Sequence, residues 1–109
     1  MAWLLRDGEV LASLEVAPGR HARARGLLGR DGVEGALLLR PARSVHTVGM
    51  RFPIDVAFCD GDLRVVRTTT MPRFRVSRPV LRARAVIEAE AGSFSRWGLR
   101  PGDQLEVKG

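Results

Sequence analysis

Hydrophobic and polar residues alternate along much of this chain with the two-residue period of strands that bury one face. Trp3-Leu4-Leu5 and Val10-Leu11 flank Asp7-Gly8, which predicts two short strands around a turn. The alternation runs on through Leu14 and Val16 and breaks at Pro18-Gly19. From His21 to Leu28 it is absent. Ala22, Ala24, Leu27 and Leu28 are helix formers there, so a short helix is predicted, with Gly29 as the residue that ends it and Gly26 as a weak point inside it. Ala36–Leu39 is an apolar run that suits a buried strand. Val45–Gly49 reads as a further strand or an extended loop, and Phe52-Pro53 imposes an extended or turn conformation after it.

The clearest local signal is a hairpin over Ile54–Arg67. Ile54, Val56 and Phe58 alternate with Asp55, Ala57 and Cys59, and Asp60-Gly61 is the preferred pair for a two-residue type I′ turn. That turn would set Phe58 opposite Leu63 and Val56 opposite Val65, with Asp55 on the other face, diagonal to Arg64. Met71-Pro72 and Arg78-Pro79 then predict an irregular or edge path. Ala83–Glu90 reads as a strand with Ala83, Ala85, Ile87 and Ala89 on one face and Arg84, Val86, Glu88 and Glu90 on the other. A short helix over Ser93–Trp97, stopped by Gly98, a turn at Pro101-Gly102-Asp103 and a last strand at Leu105–Val107 complete the chain. Many short strands and few helices define a mainly β fold: a compact antiparallel β-sandwich or barrel-like single domain over residues 1–109, with one or two short helices.

Several ordered motifs are familiar together. They are Arg25-Gly26-Leu27-Leu28-Gly29-Arg30, the segment Ser44-Val45-His46-Thr47-Val48-Gly49-Met50-Arg51-Phe52-Pro53-Ile54-Asp55, Met71-Pro72, Ile87-Glu88-Ala89, Ala91-Gly92 and Gly98-Leu99-Arg100-Pro101-Gly102-Asp103. In this order, over about residues 20–107, the chain resembles the DUF192 (UPF0127) family of small prokaryotic proteins of unknown function. The resemblance implies a compact, mainly antiparallel β domain and carries over no catalytic residue. Many members have Trp-Met-x-Asn-Thr where this chain has His46, Thr47, Gly49 and Met50, the His-Thr-x-Gly-Met form of one branch. Many are also exported or lipid-anchored, whereas the apolar run at this N-terminus stops at Arg6.

At 109 residues the chain has room for one domain, which excludes a β/α barrel or a dinucleotide-binding half joined to a catalytic one. No stretch approaches the ~20 apolar residues of a membrane span. Cys59 is the single cysteine, so no internal disulfide forms, and a cytoplasmic, membrane-free protein is expected. The net charge is +6, carried almost wholly by arginine, since Lys108 is the only lysine. Arginine forks could bind phosphate, but the near absence of lysine favours a nucleotide composition rich in arginine codons, since charge alone would accept either residue.

The densest group of reactive side-chain types is His46, Thr47, Arg51 and Asp55. An imidazole, a hydroxyl, a guanidinium and a carboxylate could bind a small polar or anionic molecule, and this non-enzymatic binding reading is the leading expectation. A weaker alternative makes His46 a general base oriented by Asp55 in a hydrolase-type enzyme. The competing structural reading has these side chains tie a loop to the hairpin. A second functional alternative lies in the run without acidic residues between Asp62 and Glu88. There Arg73 with Arg75, and Arg82 with Arg84, could form a basic stripe on strands for nucleic acid or an acidic partner. The spacings of Cys59, His21 and His46 match no zinc pattern, so no metal or other cofactor is expected.

Overall fold

The computed structural model describes residues 2–17 and 19–109, and of His21 the backbone only. Pro18 of the expected break and the His21 side chain therefore lie outside the described residues. Seven strands form one curled sheet: β1 (Ala2–Arg6), β2 (Glu9–Val16), β3 (Ala36–Leu39), β4 (Ile54–Cys59), β5 (Val65–Met71), β6 (Ala85–Glu90) and β7 (Leu105–Lys108). Their spatial order is β5-β4-β6-β3-β2-β1-β7. All pairings are antiparallel except β2 with β3, where the connection through helix α1 (Arg20–Arg25) returns the chain in the same direction. The sheet curls until its two edge strands meet at one end. Arg64 bridges Gln104, Val65 N–H donates to the Asp103 carbonyl at 2.8 Å, and Leu105 N–H donates to the Leu63 carbonyl at 3.0 Å. Beyond Val65 the β5 edge has no partner strand among the described residues.

Both faces of the sheet carry a core. Inside the curl lie Leu4, Leu14, Leu38, Cys59, Val65, Ile87 and Leu105, closed at one end by Phe94 of α2 (Ser93–Trp97). Outside it, Leu37, Leu39, Val56, Phe58 and Val86 are covered by Leu27 from the turn after α1 and by Val45, Met50 and Ala83 from the two long loops. This is why β3, β4 and nearly all of β6 are buried on both sides. Arg6 holds the far end of α2: its guanidinium donates to the Trp97 carbonyl at 2.7 Å and the Gly98 carbonyl at 3.1 Å, and pairs with Asp103 at 3.0 Å.

Three local expectations are corrected. Helix α1 stops at Arg25, because Gly26 takes φ +52° and turns the chain there. The β4–β5 turn is longer than two residues. Asp60 Oδ1 accepts the N–H groups of Asp62 (2.9 Å) and Arg64 (3.0 Å), Leu63 adopts φ +66° and swings its side chain into the inner core. The register slips accordingly, so Cys59 faces Val65, Phe58 faces Arg67, Val56 faces Thr69 and Asp55 faces Thr70. The last correction concerns β6, which starts at Ala85, leaving Ala83 and Arg84 in the preceding loop.

Candidate binding cleft

Glu88 stands on β6, near the middle of the sheet, and points to the outer face. Its cross-strand neighbours are Leu37 on β3 and Val56 on β4, both members of the outer apolar core. Neither can hydrogen-bond it. Glu88 as a residue is 4% exposed, and among the described residues no fully enclosed side-chain polar atom is left without a hydrogen-bond partner. Burial pushes its pKa up to about 7, against a smaller opposing pull from Arg30. The backbone of Gly26 lies directly above it: a Cβ at Gly26 would sit 3.1 Å from Glu88 Oε1.

Glu88 forms part of the wall of a cleft of about 290 Å³ between α1 and the 44–50 loop. Leu27, Leu39, Val45 and Met50 give it apolar walls; His46, Ser44, Arg23 and Arg25 supply polar and cationic groups. The cleft combines an apolar lining, a few polar groups and one carboxyl whose pKa burial raises.

The four residues expected to converge do not, and this corrects the sequence expectation. His46 lines the cleft and bridges Val76. Thr47 is fully buried and clamps the two long loops. Its hydroxyl donates to the Pro72 carbonyl at 2.6 Å and accepts the Arg75 N–H at 2.8 Å. Arg51 lies in solvent, paired with exposed Asp31 at 2.7 Å. Asp55 shares its face of β4 with Ala57 and Cys59, inside the curl, and is thus across the sheet from His46. It accepts from Thr70 Oγ1 at 2.7 Å and from the N–H groups of Gly92 and Phe94, each at 3.0 Å, which anchors the start of α2. A small polar side chain is used where backbone donors must be satisfied, and that demand takes Thr47 and Asp55 away from the cleft.

The arginine stripe is corrected as well. Because β5 ends at Met71 and β6 begins at Ala85, Arg73, Arg75, Arg82 and Arg84 all fall in the connecting loop. Arg73 donates to the Met50 carbonyl at 2.8 Å and covers the Phe74 ring at 4.9 Å, while Arg84 donates to the Ala83 carbonyl at 2.8 Å and the Leu81 carbonyl at 3.0 Å. Arg75 and Arg82 are exposed. Cys59 is fully buried inside the curl, where burial pushes its thiol up to about 12. Among the described residues no three His, Cys, Asp or Glu side chains group as metal ligands, and no helix is long and apolar enough to cross a membrane.

The sequence reading missed Glu88, Arg23 and Arg25. A signal for Glu88 was present: Val86 shares its face of β6, and the unbroken run Ala36–Leu39 belongs to a strand buried on both sides, so the face bearing Glu88 had to be covered.

A curled β-sheet with a helix and two loops laid over its outer face, beside a half-apolar cleft, defines a small, mainly β single domain. The chain belongs to the DUF192 family, described as "Uncharacterized ACR", whose profile matches residues 2–107. It is 33% identical over 91 residues to the UPF0127 protein PH1112 of Pyrococcus horikoshii, covering 79% of this chain and 76% of that one. Two solved structures share the fold at 22% identity. One is a protein of unknown function from Novosphingobium aromaticivorans, with TM-score 0.78 over 96% of this chain and 82% of that one. The other, from Sinorhizobium meliloti, is described as a candidate transcription regulator, with TM-score 0.79 over 97% of this chain and 91% of that one.

Proposed function

We propose that this DUF192 domain is a non-enzymatic binding module that takes a small polar or anionic molecule in the cleft between α1 and the 44–50 loop. The observation that carries the reading is Glu88, a carboxyl set among apolar neighbours and facing the same cleft as His46 and two arginines. A carboxyl in apolar surroundings gains from a hydrogen-bonding partner, and a bound molecule can supply one. Arg23 and Arg25 favour a negative group on the ligand, and the Glu88 carboxyl offers a hydrogen bond from its protonated form. His46 is the one residue of the original cluster that contributes here, as a rim group.

The test is amide chemical-shift mapping of the ¹⁵N-labelled protein during titration with acetate, inorganic phosphate and a set of small carboxylic acids. Shifts gathered at Gly26, Ser44, Val45, His46 and Glu88, and abolished by His46→Ala with Arg23→Ala, support the reading. Shifts spread over the arginine-bearing loop, or none at millimolar ligand, refute it.

A further inference from the structure

Along β5 from Val66 to Met71 the sheet edge is unpaired among the described residues. Six residues of strand give an edge about 20 Å long. Its ends are blunted by the bulge opposite Phe58 and Cys59 and by Pro72, but its middle is Thr68-Thr69-Thr70, which carries neither charge nor proline. Beside it runs a groove of about 460 Å³ whose opposite wall is the 75–80 segment, with Phe58 and Val80 among its lining. Arg67, Arg75 and Arg78 face this groove, and the chain holds no acidic residue from Leu63 to Ile87 to neutralise them.

We infer that the β5 edge and its groove dock an extended acidic polypeptide segment, which adds to the sheet as an eighth strand. The open backbone edge supplies N–H and C=O groups at the spacing of a strand, and β-branched threonines suit strand pairing. Charge complementarity with the three arginines fixes the character of the partner: every second side chain would turn toward the groove as a carboxylate. Single-stranded nucleic acid fits less well, because it needs free aromatic faces, and the exposed ring of the loop, Phe74, is already covered by Arg73. This surface shares no residue with the cleft except Val76, so it stands apart from the ligand reading.

Fluorescence anisotropy with the full chain tests the inference, using a labelled, end-blocked hexapeptide of alternating Glu and Val. Three competitors are compared: the same peptide N-methylated at alternate residues, a Lys-Val hexapeptide, and a single-stranded hexanucleotide. The expected result is saturable binding of the acidic peptide and at least a roughly tenfold loss on N-methylation, which removes ladder hydrogen bonds but leaves the charge. Arg75→Glu with Arg78→Glu, both exposed loop positions, should weaken it by roughly tenfold or more, while Glu88→Gln leaves it unchanged. Equal binding of the methylated peptide, preference for the oligonucleotide, or no binding of the acidic peptide overturns the inference.

Discussion

Replacing Glu88 by Gln isolates the free energy stored in one buried carboxyl. In the unfolded chain this group titrates near 4.5, and in the fold near 7. Each pH unit between those values is worth about 1.4 kcal/mol, so the difference amounts to about 3 kcal/mol. The sign follows from proton binding. Between the two values the native state holds the proton more tightly than the unfolded state, so stability is greatest at low pH and falls as pH rises toward and through 7. Wild type should therefore lose about 3 kcal/mol relative to Glu88→Gln between pH 4 and pH 8, the comparison cancelling the other carboxyls. Urea titrations of both proteins across that range, read by tryptophan fluorescence, give the difference directly. Parallel stability curves from pH 4 to pH 8 would show that the carboxyl is solvated or partnered in the native state. That result removes the basis of the cleft as well as the magnitude.

Other expectations follow from named contacts. Asp55→Ala leaves the buried Phe94 N–H, the Gly92 N–H and the Thr70 hydroxyl without their acceptor, and should cost about 3 kcal/mol or more in chemical denaturation. Gly35→Ala should prevent folding or cost a comparable amount, since Gly35 has φ +74° and an added Cβ would strike the Ser13 carbonyl and hydroxyl; a circular-dichroism melt reads this. Cys59 should resist a thiol reagent at pH 8 in the native protein and react at once in denaturant, because its thiol is buried and held near 12. Early labelling in native buffer would contradict the buried placement. Arg6→Ala should lower stability by roughly 1–2 kcal/mol through the lost carbonyl contacts at the end of α2.

Much of the fold was legible because its signals are local. The alternation in β1, β2, β4 and β6, the helix Ser93–Trp97 with Gly98 at its end, and the Pro101–Asp103 turn each depend on residues within one element. The hairpin register was not legible, because Asp60 can either begin a two-residue turn or cap a longer loop with its side chain. Burial of Leu63 in the inner core accompanies the second. The cleft was hidden for a different reason. His46 and Asp55 lie nine positions apart, yet the pleat and curl of the sheet put them on opposite sides of it. Glu88 and Gly26, far apart in the chain, meet only because the outer face acquires a second layer. Chemistry grouped in sequence was thus spent on capping and loop tethering.

The two-sided sheet also divides the molecule by the ease with which its parts open. The inner core is fastened by strand ladders on nearly all sides, whereas α1 is six residues long, begins at Gly19 without a side-chain cap and ends at Gly26. A helix so short has almost no stability apart from what it packs against. Its amides should exchange with solvent through a local opening that leaves the β-ladder protected, whereas amides of β4 and β6 should wait for global unfolding. Access to Glu88 would then be governed by that local equilibrium, so a ligand that closes α1 over the carboxyl would be seen first as slowed exchange at Arg23–Leu27 and only weakly as a higher melting temperature.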